Sequence, residues 1–497
     1  MSASQPISLT AAPALTVAPP RRSLALDALR GWAILTMVLS GMVPDALPTW
    51  MHHAQVIHGK FNPAVPGITW VDLVFPFFLF AMGAAIPFAL RRRMERGMTH
   101  YQAVATALKR GALLIIFAIF QAHVGPWALK GKTGEGALPM VLALAGFAVM
   151  FLVLVRMPDR VPQPLAWALR AAGWLGGALL IWRVYGSAFD YKTNNIILWL
   201  LAQMAVFGSL AWLATRNSIT ARLGILGFLM ALRLASKETG WISWLSANTS
   251  IPGIFSMGPW SLLFIVIPGT IAGDLIQKWM RASGSVEPEP ANNAWSPARL
   301  WSIALVMLGL NAAVLIGLAP AGVPDPALGL LARWAPIASP IIIALTLVAG
   351  MLFAKPSSEA EKLLRTLFAW GTYWLVLGLM FEPYEGGIKK DSATMSYYFV
   401  TAGLALFMLI SFMIIIDILG HRRWFTGLLV DNGQNPMIAY VGFAHLIFPV
   451  MALVGAPAVL DKIFDGPALG MTRAILQTLL LAVVVSGFTR AKIFWRS

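Results

Sequence analysis

Residues 68–90 read ITWVDLVFPFFLFAMGAAIPFAL, in which Asp72 is the single charged side chain. A helix rises about 1.5 Å per residue and needs about 20 mostly apolar residues to cross about 30 Å of hydrocarbon, so this stretch is long enough to span a bilayer. Pro76 within it predicts a kink, which membranes tolerate where neighbouring helices satisfy the freed carbonyl. Segments of similar length and character recur at about 24–43, 106–129, 137–156, 164–184, 195–215, 219–235, 260–279, 299–319, 335–354, 363–381, 396–419, 434–456 and 472–490. That gives fourteen spans, within a range of ten to fourteen, and 219–235 is the shortest. The expected fold is all-α, a polytopic integral membrane helical bundle.

The composition agrees. Of the 497 residues 58% are hydrophobic and only 12% charged, with no cysteine. Average soluble domains carry roughly 25% charged residues, so an ordinary soluble enzyme, a disordered scaffold and a disulfide-stapled secreted domain are all excluded. Without cysteine there is no thiol nucleophile and no thiolate metal site. The net charge of +16 does not call for nucleic acid, because Lys and Arg collect on the cytoplasmic loops of membrane proteins. With the N-terminus inside, the 37 Lys and Arg divide roughly two to one in favour of the inner loops, which places both termini in the cytoplasm. Residues 1–20, uncharged and rich in Ala, Pro, Ser and Thr, read as a disordered tail. Arg21 and Arg22 then anchor the first span, and Asp27 and Arg30 interrupt any twin-arginine signal there. The rest, 21–497, reads as one membrane domain, with a polar linker over 280–298.

Ionisable residues at membrane depth are costly unless paired or used. Asp27 and Arg30 are three apart and share a face of the first helix, either as an ion pair that eases insertion or as an anion site oriented by Asp27. The loop between the first two spans carries His52, His53 and His58, three of seven histidines. Neutral imidazole suits general base work near pH 7. No HxxxH spacing supports a metal, so none is expected. Asp72 opens the second helix, where it can cap free N–H groups and, in the site reading, also hold a nearby histidine in one tautomer. His123 and His445 read as hydrogen-bonded core histidines. Asp274 and Asp417 are placed to pair with Lys278 and Arg422. Lys389, Lys390 and Asp391 form a charged cluster before a span, and Asn435 opens the thirteenth helix as a cap or as a group facing the site.

Three of these stretches together carry a family pattern. They are Leu26-Asp27-Ala28-Leu29-Arg30-Gly31, then His53-Ala54, then Asp72-Leu73-Val74-Phe75-Pro76-Phe77-Phe78-Leu79-Phe80-Ala81-Met82-Gly83. Over residues 22–90 the chain resembles the heparan-alpha-glucosaminide N-acetyltransferase-like family of the transmembrane acyltransferase superfamily, as a bacterial-type member. Looser matches at Ile267–Gly273, Lys389–Tyr397 and Gln434–Gly442 extend the likeness, with extra helices near 137–184 and 299–354. The resemblance implies a multi-pass protein of a bacterial inner membrane that moves an acetyl group from cytoplasmic acetyl-CoA to a sugar or glycan on the far side. Acetyl-CoA would be a co-substrate, no cofactor would be permanently bound, and His53 would be the catalytic base. Asp72 would be its partner, Asp27 and Arg30 donor-binding or structural, and His52, His58, Lys390 and Asn435 would line the site. Expected partners are the lipid bilayer, acyl-CoA and the acceptor, with a second copy of the chain as a candidate and no nucleic acid. Two departures fall on the acceptor side, Ser40-Gly41 in place of the family's Asn and a longer loop from His53 to Gly67. The alternative is a transporter of amino sugars or related small molecules, which would show uptake without any acyl donor. A non-catalytic scaffold would show neither activity.

Overall fold

The computed structural model describes residues 22–57, 59–157, 161–238, 240–247, 257–282, 294–320 and 326–495. The expected tail over 1–20, His58 and most of the 280–298 linker lie outside the described residues. In chain order the helices are α1 Leu24–Ser40, α2 Trp70–Glu95, α3 His100–His123, α4 Pro126–Thr133, α5 Ala137–Leu154, α6 Gln163–Tyr185 and α7 Ile196–Thr215. Then follow α8 Ile219–Lys237, α9 Trp241–Ala247, α10 Met257–Trp260, α11 Leu263–Ala282, α12 Pro297–Gly317, α13 Pro326–Leu352 and α14 Glu359–Phe381. The last are α15 Met395–Phe412, α16 Trp424–Gln434, α17 Pro436–Gly442, α18 Phe448–Leu453, α19 Ala456–Ile463 and α20 Pro467–Arg490.

Among the described residues, 11 helices are long and apolar enough to cross a membrane. The protein is an all-α polytopic membrane protein. Each of the fourteen expected segments coincides with a helix. Three fall outside the strict set, namely α1 with 17 residues, α11, which is more polar, and α13, whose described apolar part is Ala338–Leu352.

The bundle is organised around α15. Every residue from Met395 to Phe412 except Met408 is buried, the signature of a helix that is apolar all round. Beside it α2 runs through Pro76 and Pro87 without a break and packs on α11 through small residues. A Cβ at Gly83 would stand 2.3 Å from the Val266 carbonyl oxygen, and one at Gly269 would stand 2.3 Å from that of Phe80. Backbone-to-backbone approach of this kind is how membrane helices gain packing without a hydrophobic drive. The same device joins α1 to α16, where a Cβ at Gly433 would lie 1.7 Å from the Asp27 carbonyl oxygen.

Two expected pairings are corrected. Asp274 does not pair with Lys278. Its carboxylate lies 2.7 Å from Arg91 and 2.8 Å from Arg222, and also accepts from the Trp212 indole, so one carboxylate on α11 is shared by the two guanidinium groups of α2 and α8. Asp417 does not pair with Arg422. It accepts from the Ser23 hydroxyl at 3.0 Å and from the Leu24 and Ala25 N–H groups, capping α1 from another helix, because a helix start leaves donors without partners. The span expected over 434–456 is present as Pro436–Leu453, loosened by a π-turn at Phe443–Ile447; a separate helix, α16, ends just before it at Gln434, and Pro436, which supplies no N–H, opens the new one.

Candidate active site

The site grows from the connection between α1 and α2. After Ser40 the chain makes one helical turn, Thr49–Met51, and a small hairpin in which β1 Val56–Ile57 pairs antiparallel with β2 Lys60–Phe61. Two anchors hold this loop. The buried Gln55 amide donates to the Val65 and Gly67 carbonyls. The Gly67 N–H donates to Ile388 at 2.7 Å and the Ile68 N–H to Leu318 at 2.9 Å. At Gly67 only glycine serves, because φ is +126° and a Cβ would stand 2.5 Å from Pro320. The loop is thereby tied to the 388–394 turn, which approaches from the other half of the chain.

At the start of α2 the two Asp72 oxygens do different work. Oδ2 accepts from the Thr69 N–H at 2.9 Å, the Ala54 N–H at 3.1 Å and the Thr69 hydroxyl at 3.3 Å. Oδ1 meets His53 Nδ1 at 2.8 Å. The carboxylate both caps the helix and holds the histidine. Asp72 is fully buried while the His53 side chain is 37% exposed, so a fixed acid supports a reachable base. Since a carboxylate with donors on its other oxygen is an acceptor, the ring hydrogen sits on Nδ1 and Nε2 keeps its lone pair.

Lys390 completes the group from the 388–394 turn, its ammonium 3.0 Å from His53 Nδ1 and 3.3 Å from Nε2. That turn is rigid. The Lys389 N–H donates to the Thr394 hydroxyl and the Thr394 N–H to the Lys389 carbonyl, each at 3.1 Å. Glu385 fastens its start by accepting from Arg233, Lys237 and the Met395 N–H. Burial would raise the Glu385 carboxyl, but Lys237, the Met395 N–H and Arg233 outweigh it and hold the group below its ordinary value.

Tyr397 on α15 donates to the Asp72 backbone carbonyl at 2.8 Å. Sequence reasoning passed over it, as it passed over Thr69. The signal for Thr69 is its spacing of three before an acid, as in a capping box. Nothing local marks Tyr397, 325 residues from its partner. His52 contributes its carbonyl to the Thr69 hydroxyl, and its buried Nε2 has no hydrogen-bond partner among the described residues.

The other expected residues lie elsewhere. Asp27 pairs with Arg22 and Arg30, and Arg30 also donates to the Gly433 carbonyl at 3.0 Å. This group sits toward the Leu24 end of α1, about 15 Å or more along the axis from the Ser40 end that leads to His53. Asn435 belongs to neither. Its amide donates to the Ile493 carbonyl at 2.6 Å and accepts from the Trp495 N–H at 3.2 Å, so it holds the C-terminal segment and cannot serve His53. His123 and His445 contact backbone carbonyls inside the bundle, as core histidines do.

No curated protein matches the chain. A family model described as a domain of unknown function, DUF5009, matches residues 22–276, just over half of the 497 residues. The matched part includes Asp27, Arg30, His53 and Asp72 and stops before Lys390 and Tyr397. The chain belongs to the DUF5009 family.

Proposed function

We propose that this protein is a membrane-embedded acyltransferase that moves an acetyl group from cytoplasmic acyl-CoA to an amine or hydroxyl of a sugar or glycan on the opposite face of a bacterial inner membrane. The observation that carries the reading is the His53–Asp72 contact of 2.8 Å, a reachable imidazole held in one tautomer by a buried carboxylate. The quoted motifs of residues 22–90, which resemble the heparan-alpha-glucosaminide N-acetyltransferase-like family, supply the reaction class.

In this scheme His53 Nε2 takes the proton from the acceptor as its nitrogen or oxygen attacks the thioester carbonyl. The new C–N or C–O bond forms, the C–S bond breaks, and the proton passes from His53 to the departing thiolate. General base assistance contributes about 10²–10⁴-fold. Asp72 stabilises the transient imidazolium. Lys390, whose ammonium lies 3.0 Å from Nδ1 and 3.3 Å from Nε2 before the acceptor arrives, swings on its flexible stem toward the carbonyl oxygen as negative charge builds there. Arg30, at the other end of α1, faces the side from which the donor's phosphates come, with Asp27 fixing its orientation.

The transporter reading draws on the break at Asn435, since broken helices mark substrate sites in carriers. Here the freed groups are already used, the Asn435 amide by Ile493 and Trp495 and the Gly433 carbonyl by Arg30. The test is His53→Ala with labelled acetyl-CoA and glucosamine in proteoliposomes. Loss of transfer with an unchanged unfolding midpoint supports the reading. Undiminished transfer removes His53 from the chemistry, and glucosamine uptake without donor favours the carrier.

A further inference from the structure

Helix α8 meets the bundle along one narrow stripe. Its buried residues are Arg222, Leu226 and Leu229. With Arg233, whose side chain is 12% exposed, they stand four, three and four apart and so share one helix face. An arginine closes each end of that stripe. Arg222 donates to the Thr270 hydroxyl and to Asp274 on α11. Arg233, three turns on, donates through Nη1 to the Ser261 hydroxyl at 2.9 Å, and through Nη2 to Glu385 at 3.0 Å and the Ala393 carbonyl at 2.7 Å. Its guanidinium also lies over the Tyr398 ring, 5.4 Å from the centroid.

Glu385 and Ala393 stand on either side of Lys390 in the chain. Between them the Ile388 carbonyl accepts from the Gly67 N–H of the His53 loop. The segment that carries Lys390 is therefore held from two sides, by the His53 loop at Ile388 and by Arg233 near both ends. An ion pair that merely eased the burial of Glu385 would not need Arg233, since Lys237 already pairs with that carboxylate. The bond to Ala393 comes from Arg233. A planar guanidinium donates in several fixed directions at once and so sets two acceptors relative to each other, whereas an ammonium acts as a point charge.

We propose that Arg233 is a positioning residue for Lys390. By clamping Glu385 and Ala393 it holds the Lys390 ammonium 3.0 Å from His53 Nδ1 and 3.3 Å from Nε2, and it acts on the chemistry through Lys390 alone. Helix α8, pinned at its far end by Arg222, is the brace against which the clamp works. The consequence for catalysis rests on the acyltransferase reading, while the consequence for the place of Lys390 does not. Misplacing a catalytic group by about 1 Å costs about 10²-fold in rate.

The test introduces Arg233→Gln into the full chain, both in the wild type and in Lys390→Gln. With labelled acetyl-CoA and glucosamine in proteoliposomes, it is expected to lower kcat by about 10²-fold at an unchanged KM for glucosamine, and to add nothing to the loss in Lys390→Gln. The same factor lost in both backgrounds would overturn the proposal, because a residue that only stabilises the fold acts whether or not Lys390 is present. A second readout needs no transfer. It is the rate at which an amine-reactive reagent labels Lys390 in the detergent-solubilised chain, followed by peptide mass spectrometry with the exposed Lys462 as control. In Arg233→Gln that rate should rise about tenfold or more at Lys390 alone, the factor that one lost charge-assisted bond puts on local opening. Unchanged labelling of Lys390 in a folded variant would overturn the proposal whatever happens to transfer. Absence of transfer by the wild type would defeat the acyltransferase reading and leave the labelling rate to decide this one. Arg233→Lys, which keeps the charge opposite Glu385 and loses the fork, is expected to show both effects and decides the matter if Arg233→Gln does not fold.

Discussion

Replacing Asp72 by Asn separates its two roles. The single amide oxygen stays with the Ala54 and Thr69 donors, because turning the NH₂ toward them would leave buried donors facing a donor, at about 1–3 kcal/mol each. The NH₂ then faces His53 Nδ1 across the 2.8 Å contact. The ring can accept that hydrogen bond only by moving its own hydrogen to Nε2, and it ceases to be a base at the exposed nitrogen. Acetyl transfer should fall by about 10²–10⁴-fold, the scale of general base help and of the wrong tautomer in hydrolytic triads. Stability should fall by no more than about 1 kcal/mol, since the cap survives. Initial rates of label transfer and unfolding midpoints on the same proteoliposome preparation read both quantities. Wild-type transfer with a lowered midpoint would show that Asp72 is a cap alone.

Three further outcomes follow from the contacts. Glu385 is held below its ordinary value when folded, so its contribution to stability is complete above the unfolded carboxyl value of about 4.3 and is lost as pH falls from there through the lower folded value. The midpoint gap between wild type and Glu385→Gln should therefore be largest near neutrality and close as pH drops below the unfolded carboxyl value, and a constant gap would contradict the linkage. Asn435→Ala removes two bonds to the C-terminal segment and orphans buried groups, for about 2–4 kcal/mol. Carboxypeptidase should then trim the end faster while the rate per folded molecule stays unchanged. Gly433→Ala forces α1 from α16, because the new methyl would meet the Asp27 carbonyl, and should cost about 3 kcal/mol or more by thermal unfolding, with a normal midpoint as the contrary result.

What could be read in the chain follows from how local each signal is. The spans were legible because about 20 apolar residues in a row admit few other structures, and α2 kept its length through two prolines. The His53–Asp72 pair was legible because a loop and the helix after it bring together residues only 19 apart. Long-range partners were not. Asp417 reaches across 394 positions to Ser23, and Asp274 chose Arg91 and Arg222 over the Lys278 one turn away. In both cases the choice depended on which helices touch, and no spacing encodes that. Asn435 misled for the same reason, since its position before Pro436 marks a helix start but not the C-terminal segment that occupies it.

The central claim is a donor on one face of the membrane and a base on the other. In sealed proteoliposomes of fixed orientation, labelled acetyl-CoA is supplied only on the Arg30 side and glucosamine only on the His53 side. The account predicts labelled acetyl-glucosamine on the His53 side, dependent on His53 and absent when donor and acceptor are exchanged. Product that forms equally with His53→Ala, or only when both substrates share one side, would contradict it.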